Sequence, residues 1–129
     1  MSSPDPILVP ALRTLRAEVN ERWPHRDRSS DGWIGDDAHR QRLSDHNPDD
    51  QGNVHALDIT ARGIQPWTVV IAATHHLATT YVIFRGRLWS RRNEWVAERY
   101  TGPDPHLSHL HVSVSAEPAR ANSRRPWLR

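Results

Sequence analysis

From His109 to Ser115 the chain reads His-Leu-His-Val-Ser-Val-Ser, polar and apolar residues alternating without a break. Such a pattern is sorted by an extended strand, whose successive side chains point to opposite faces. Leu110, Val112 and Val114 then face a core, while His109, His111 and Ser113 form a polar surface backed by it. Just upstream, Gly102-Pro103-Asp104-Pro105 is a rigid turn that delivers His106, completing a His-x-x-His-x-His run. Imidazole is the commonest metal ligand and the commonest general acid or base, so the run directs attention to carboxylates elsewhere in the chain.

The remaining elements follow from spacing and punctuation. Leu8, Leu12, Leu15 and Val19 predict an amphipathic helix over about 9–22, with Pro10 in its first turn and Pro24 beyond its end. His25 to Gly35 is a loop, and Asp36 or Asp37 caps a short helix over 38–43. The turn formers Asn47 to Asn53 make a surface loop. Val54 to Thr60 reads as a strand with Leu57 and Ile59 on one face and Ala56, Asp58 and Thr60 on the other. Pro66 opens a helix with a stripe of Trp67, Val70, Ile71, Thr74 and Leu77, ending near Thr79. Tyr81–Phe84 and Arg87–Ser90 flank Arg85-Gly86, the shortest kind of hairpin connection. This order predicts an α+β fold: a small, mainly antiparallel sheet with helices packed on one side. The 129 residues make one domain, with a core from about 8 to 115 and a polar tail from 116 to 129.

Composition narrows the chemistry. The chain has no cysteine, which removes disulfides and thiolate metal sites and leaves His and carboxylate as ligands. All 17 basic residues are Arg, for which codon bias is the simplest account, and the net charge of +2 is too small to choose between anionic partners. The N-terminus lacks the basic and apolar regions of a secretory signal. The longest nearly apolar run, Trp67 to Ala73, is far short of the roughly 20 residues a membrane span needs.

Ser44-Asp45-His46-Asn47-Pro48 precedes the loop and Ala56-Leu57-Asp58-Ile59 follows it, so His46 and Asp58 can reach the same point as His111. Two imidazoles and one carboxylate form a three-ligand zinc shell, whose fourth position is open to water, as in catalytic rather than structural sites. His109, on the same strand face as His111, can take a proton from that water or stabilise a developing oxyanion.

With Gly35-Asp36, Ala38-His39, Ser44-x-His46, Ala56-x-Asp58 and His106-x-x-His109-x-His111, the chain from about Asp31 to Ser115 resembles the M15-like branch of the LAS zinc peptidases. That group includes D-alanyl-D-alanine carboxypeptidases, phage endolysins and the hedgehog zinc domain. The resemblance implies a hedgehog/DD-peptidase-like fold with Zn2+ on His46, Asp58 and His111, and His109 in the catalytic position. It implies a monomeric hydrolase acting on an amide bond of a peptidoglycan stem peptide, with neither a nucleic-acid partner nor a membrane span. A phage or prophage endolysin, made in the host cytoplasm and acting on the host cell wall, fits this description. Two departures stand out. The stretch from His46 to Asp58 is longer than is usual in the family, with the excess in the Asn47–Asn53 loop, where an insertion costs little. Several family members also carry a Glu before the last ligand as base; here no Glu is near, so His109 or His106 must serve. His106 or Arg42 is expected to stabilise the tetrahedral intermediate.

Other histidines are set aside. His55 lies three residues before Asp58 and on a strand points to the opposite face, and His75 and His76 fall late in a helix, where cationic side chains suit the dipole. His39 either stacks beneath the site or solvates the short helix, and Asp45 either orients a ligand imidazole or caps a turn. Trp89 and Trp95 read as core or groove wall. Two other functions share some of these features. Asp45-His46-Asn47 and the basic composition suit an HNH-type nuclease, which would place the later ligand at the start of a helix. A zinc-containing wall-binding module without catalysis would keep the ligands alone.

Overall fold

A computed structural model describes residues 5–33 and 45–128. The helix expected over 38–43, together with His39 and Arg42, lies outside these residues. In chain order the elements are β1 (Ile7–Leu8), α1 (Pro10–Arg22), β2 (Asn53–Val54), β3 (Ala56–Thr60), α2 (Pro66–Thr74), β4 (Thr79–Phe84), β5 (Arg87–Ser90), β6 (Glu98–Arg99), β7 (His109–Val114) and a single helical turn, α3 (Pro118–Ala121). Five strands form an antiparallel sheet in the order β3-β7-β4-β5-β6, and β1 and β2 make a separate parallel pair. The fold is α+β, as the order of elements predicts.

The strand that alternates most cleanly, β7, sits inside the sheet between β3 and β4. Its apolar side chains Leu110, Val112 and Val114 join Leu57, Ile59, Val82 and Phe84 in one core with Leu12, Leu15 and Val19 of α1 and Val69, Val70 and Ala73 of α2. Both helices therefore cover one face of the sheet, and the polar face is left for the side chains of opposite parity. α1 begins with Pro at its first position, where the missing N–H costs nothing, and buries the expected stripe. The hairpin is the expected one, pairing Phe84 with Arg87 across a two-residue turn. Arg85 (φ 51°) and Gly86 (φ 76°) both occupy the left-handed region, as a type I′ turn requires.

Two expectations are corrected. α2 stops at Thr74 rather than near Thr79, and its buried residues are Val69, Val70 and Ala73, while Trp67 and Ile71 are exposed. The Ile71 carbonyl is taken by the Thr74 hydroxyl and by His75 Nδ1 at 2.8 Å each, and the next backbone bonds tighten to His75 N→Ala72 O and His76 N→Ala73 O. His75 and His76 consequently lie beyond the helix. The polar tail is also part of the structure: Ala121 and Trp127 are 4% exposed, and the Trp127 indole donates to the Ala11 carbonyl of α1 at 3.0 Å. Among the described residues no helix is long and apolar enough to cross a membrane.

Candidate metal centre

Register brings the first two site residues together. β3 pairs with β7 so that Asp58 lies directly opposite His111, and Thr60 opposite His109. Directly opposed residues share a sheet face at close range, and here the His111 Nδ1 to Asp58 Oδ1 distance is 3.1 Å. His46 arrives from the far side of the Asn47–Gly52 turn. Its Nε2 lies 3.1 Å from His111 Nδ1 and 3.3 Å from Asp58 Oδ2. Donor atoms held about 2.0–2.1 Å from a tetrahedral ion stand roughly 3.3–3.4 Å apart, so this triangle has close to the size of one face of such a site. Both imidazoles are 5% exposed.

The surroundings orient the donors. His46 Nδ1 is 3.1 Å from the Trp33 carbonyl, which can only accept, so the proton of the neutral ring sits on Nδ1 and the Nε2 lone pair points at the cluster. His111 Nε2 lies 2.7 Å from Ser113 Oγ; donation there leaves the Nδ1 lone pair facing Asp58. Two lone pairs and a carboxylate then converge, an arrangement that a cation completes. The cluster accordingly attracts positive charge, whether a proton or a metal ion. Burial alone would raise the Asp58 carboxyl, but hydrogen bonds and charge from His111 and His46 hold it far below the usual carboxylate range. Burial lowers His46, yet the hydrogen bond and charge of Asp58 outweigh it and the net shift is upward.

Trp33 is held in place by its neighbours. Gly32 and Asp58 exchange backbone hydrogen bonds (Asp58 N→Gly32 O 2.7 Å, Gly32 N→Asp58 O 3.2 Å). Asp31 accepts from Thr60 N and Oγ1, both at 2.8 Å, and from the buried Arg26 guanidinium at 2.9 Å, which also grips Asn20. Burial opposes ionisation of Asp31, but Arg26 and Thr60 keep its carboxyl below the ordinary value. On the other flank the Tyr81 ring stacks on His111, with centroids 5.3 Å apart and planes 11° from parallel. Burial and then the Asp45 charge push the Tyr81 phenol up, so it stays protonated facing Ser113 and Asp45. Asp45 acts on the site through Tyr81 and through its charge on His46.

His109 Nε2 lies 3.8 Å from Asp58 Oδ2 and 3.6 Å from Asp104 Oδ2, and its Nδ1 is 3.1 Å from Ser108 Oγ. His106 is 8% exposed and takes φ 57°, unusual for a residue with a side chain. Its N–H donates to Asp104 Oδ1 at 2.9 Å and its Nδ1 to the Asp104 carbonyl at 2.6 Å, and the ring meets His109 edge-on at 4.7 Å. The hairpin turn holds this loop through Arg85 N→His106 O (3.0 Å) and Gly86 N→Pro105 O (2.8 Å).

His46, Asp58, His106, His109 and His111 are therefore brought together. Among the described residues, two groups of His and Asp donors lie within 4.8 Å of one another: His46, Asp58, His111 and Asp58, His106, His109. His55 is buried outside both. His109 and His111 sit within β7 and not at a helix start, unlike the HNH arrangement. Sequence reasoning missed Trp33, Arg26, Asp31 and Tyr81. Of these only Tyr81 left a trace, since its alternation with Val82 and Phe84 places it with Ile83 on the polar face. A groove of about 650 Å³ is lined by Tyr81, Ile83, Leu88 and Tyr100, with Arg91 and Arg92 also on its wall. No family model matches this chain, and comparison with curated proteins and with solved structures gives no significant match.

Proposed function

We propose that the protein is a zinc metallopeptidase that hydrolyses an amide bond in peptidoglycan stem peptides, as a phage or prophage endolysin. The observation that carries this reading is the triangle of His46 Nε2, His111 Nδ1 and Asp58, with edges of 3.1–3.3 Å, beside a further imidazole, His109. Two imidazoles and one carboxylate suit zinc better than magnesium or calcium, and three protein ligands leave a position for water or substrate. When bound, zinc supplies a Lewis acid that polarises a carbonyl and brings the pKa of water toward about 7.

The chain's own groups do the rest. With Nδ1–H donating to Ser108 Oγ, His109 Nε2 accepts the proton of the attacking water and returns it to the leaving amine. Asp104 and Asp58, both within 4 Å of His109 Nε2, stabilise the imidazolium formed in between. Expected from the sequence as an oxyanion donor, His106 instead presents an acceptor, because its only proton in the neutral form is committed to the Asp104 carbonyl. Burial, followed by the charge of His111, lowers its pKa and keeps it in that form. The apolar walls of the groove lined by Tyr81 and Tyr100 seat the body of an extended peptide, with the lining Arg91 and Arg92 available to its carboxylate.

Mass spectrometry of muropeptides after digestion of purified cell walls tests the reading. New free amino groups should appear at one stem-peptide bond, and His109→Ala should slow their release by about 10²–10⁴-fold while the equivalent of metal on His46, Asp58 and His111 is retained. Undiminished release by His111→Ala would sink the assignment.

A further inference from the structure

We infer that the protein holds a second, weaker divalent-metal site, formed by His106 and His109 and sharing the Asp58 carboxylate with the first, with the Asp104 carboxylate beside His109. This rests on the proposed reading of the first site, because Asp58 is common to both. The central observation is the direction of His106. Its Nδ1–H is fixed on the Asp104 carbonyl at 2.6 Å, so the lone pair is on Nε2, and this buried ring belongs to the cluster in which one donor each from Asp58, His106 and His109 lie within 4.8 Å.

An imidazole acceptor with no fixed donor before it among the described residues is matched by a cation. The backbone is strained to put it there: a left-handed φ of 57° is held by two bonds that His106 donates to Asp104 and by the Arg85–Gly86 turn behind the loop. His109 Nε2 completes the set, lying between Asp58 Oδ2 at 3.8 Å and Asp104 Oδ2 at 3.6 Å. Both gaps are too long for a hydrogen bond, yet each is near the spacing of two ligands on one ion. The carboxylate is placed to bridge: Oδ1 faces His111, while Oδ2 lies between His46 and His109.

The second site is the weaker one for two reasons. His109 stands 3.6–3.8 Å from its two carboxylates, against 3.1–3.3 Å between donors in the first site, and the Asp104 side chain is 58% exposed. Imidazole and carboxylate donors select zinc and its neighbours, cobalt and nickel. Filling this site occupies His109 Nε2, the proton acceptor of the proposed reaction, so the second equivalent of metal is inhibitory.

Cobalt titration of metal-free full-length protein, followed by calorimetry and by elemental analysis after dialysis, tests this directly. Wild type should bind two equivalents with affinities at least tenfold apart. His106→Asn, whose shorter amide tolerates the left-handed backbone, should lose only the weaker. A single equivalent in wild type, or two in His106→Asn, would overturn the second site and leave the first standing. No bound metal in wild type would overturn both.

Discussion

Each imidazole of the proposed ligand set has one nitrogen in the cluster and the other engaged by a fixed partner, Trp33 O for His46 and Ser113 Oγ for His111. Such partners set the tautomer and ring angle, and removing one typically costs about 10–100-fold in metal affinity. Ser113→Ala should therefore weaken zinc binding by about that factor, read by competition with a chelating dye, with no change in far-ultraviolet circular dichroism. An unchanged affinity would mean that Tyr81, stacked on the same ring, orients it alone. At this scale the sequence was informative only where chemistry and parity coincide. Alternation puts His109, His111 and Asp58 on polar strand faces, and residue type marks them as candidate site groups. Trp33 contributes a backbone carbonyl, which side-chain identity does not announce, and Arg26 and Asp31 act from a loop that has no period to read.

The element that aligns the cluster is the β4–β5 hairpin, because its turn supports the loop carrying His106. Gly86 at φ 76° has open space where a Cβ would sit, so substitution meets backbone strain without a clash. Gly86→Ala should cost about 1–2 kcal/mol, the ordinary penalty for a side chain in the left-handed region, measured by urea denaturation. A neutral result would show that the turn can change type without moving the strands. Arg85-Gly86 between two β-rich runs is a local signal, and it was legible for that reason. α2 was read less well, since its apolar residues nearly encircle the helix. The end of α2 is set by two side chains competing for one carbonyl, which periodicity cannot register.

Across the whole molecule the chain's two ends close on each other. The Trp127 backbone N–H meets Glu18 of α1 at 3.1–3.2 Å, its indole bonds Ala11, and its ring stacks on His76 at 3.7 Å. Composition made residues 116–129 look like a solvated tail, because the hydrogen bonds that tie Trp127 to α1 span more than 100 residues of sequence. Trp127→Ala should cost about 3–5 kcal/mol, seen as a lower denaturation midpoint, whereas a free tail would show no change. His76 adds a pH dependence. Its Nδ1 accepts from Ala78 N and its Nε2 donates to the Arg125 carbonyl, so the neutral ring is the one that fits. Burial lowers its pKa from the ordinary value of 6.5. The stability it contributes is present above that value and is lost as pH falls through the depressed one. Between pH 7 and 5 wild type should lose more thermal stability than His76→Gln; equal losses would place the acid sensitivity elsewhere.

The central claim is that His46, Asp58 and His111 hold a metal ion on which amide hydrolysis depends. Metal-free protein titrated with zinc, with amine release from purified peptidoglycan followed at each addition, addresses it most directly. Activity should be absent at the start, rise linearly to one equivalent of zinc, and fail to appear at any zinc concentration in His111→Ala. Full activity in the metal-free protein, or a normal titration by the variant, would contradict the account.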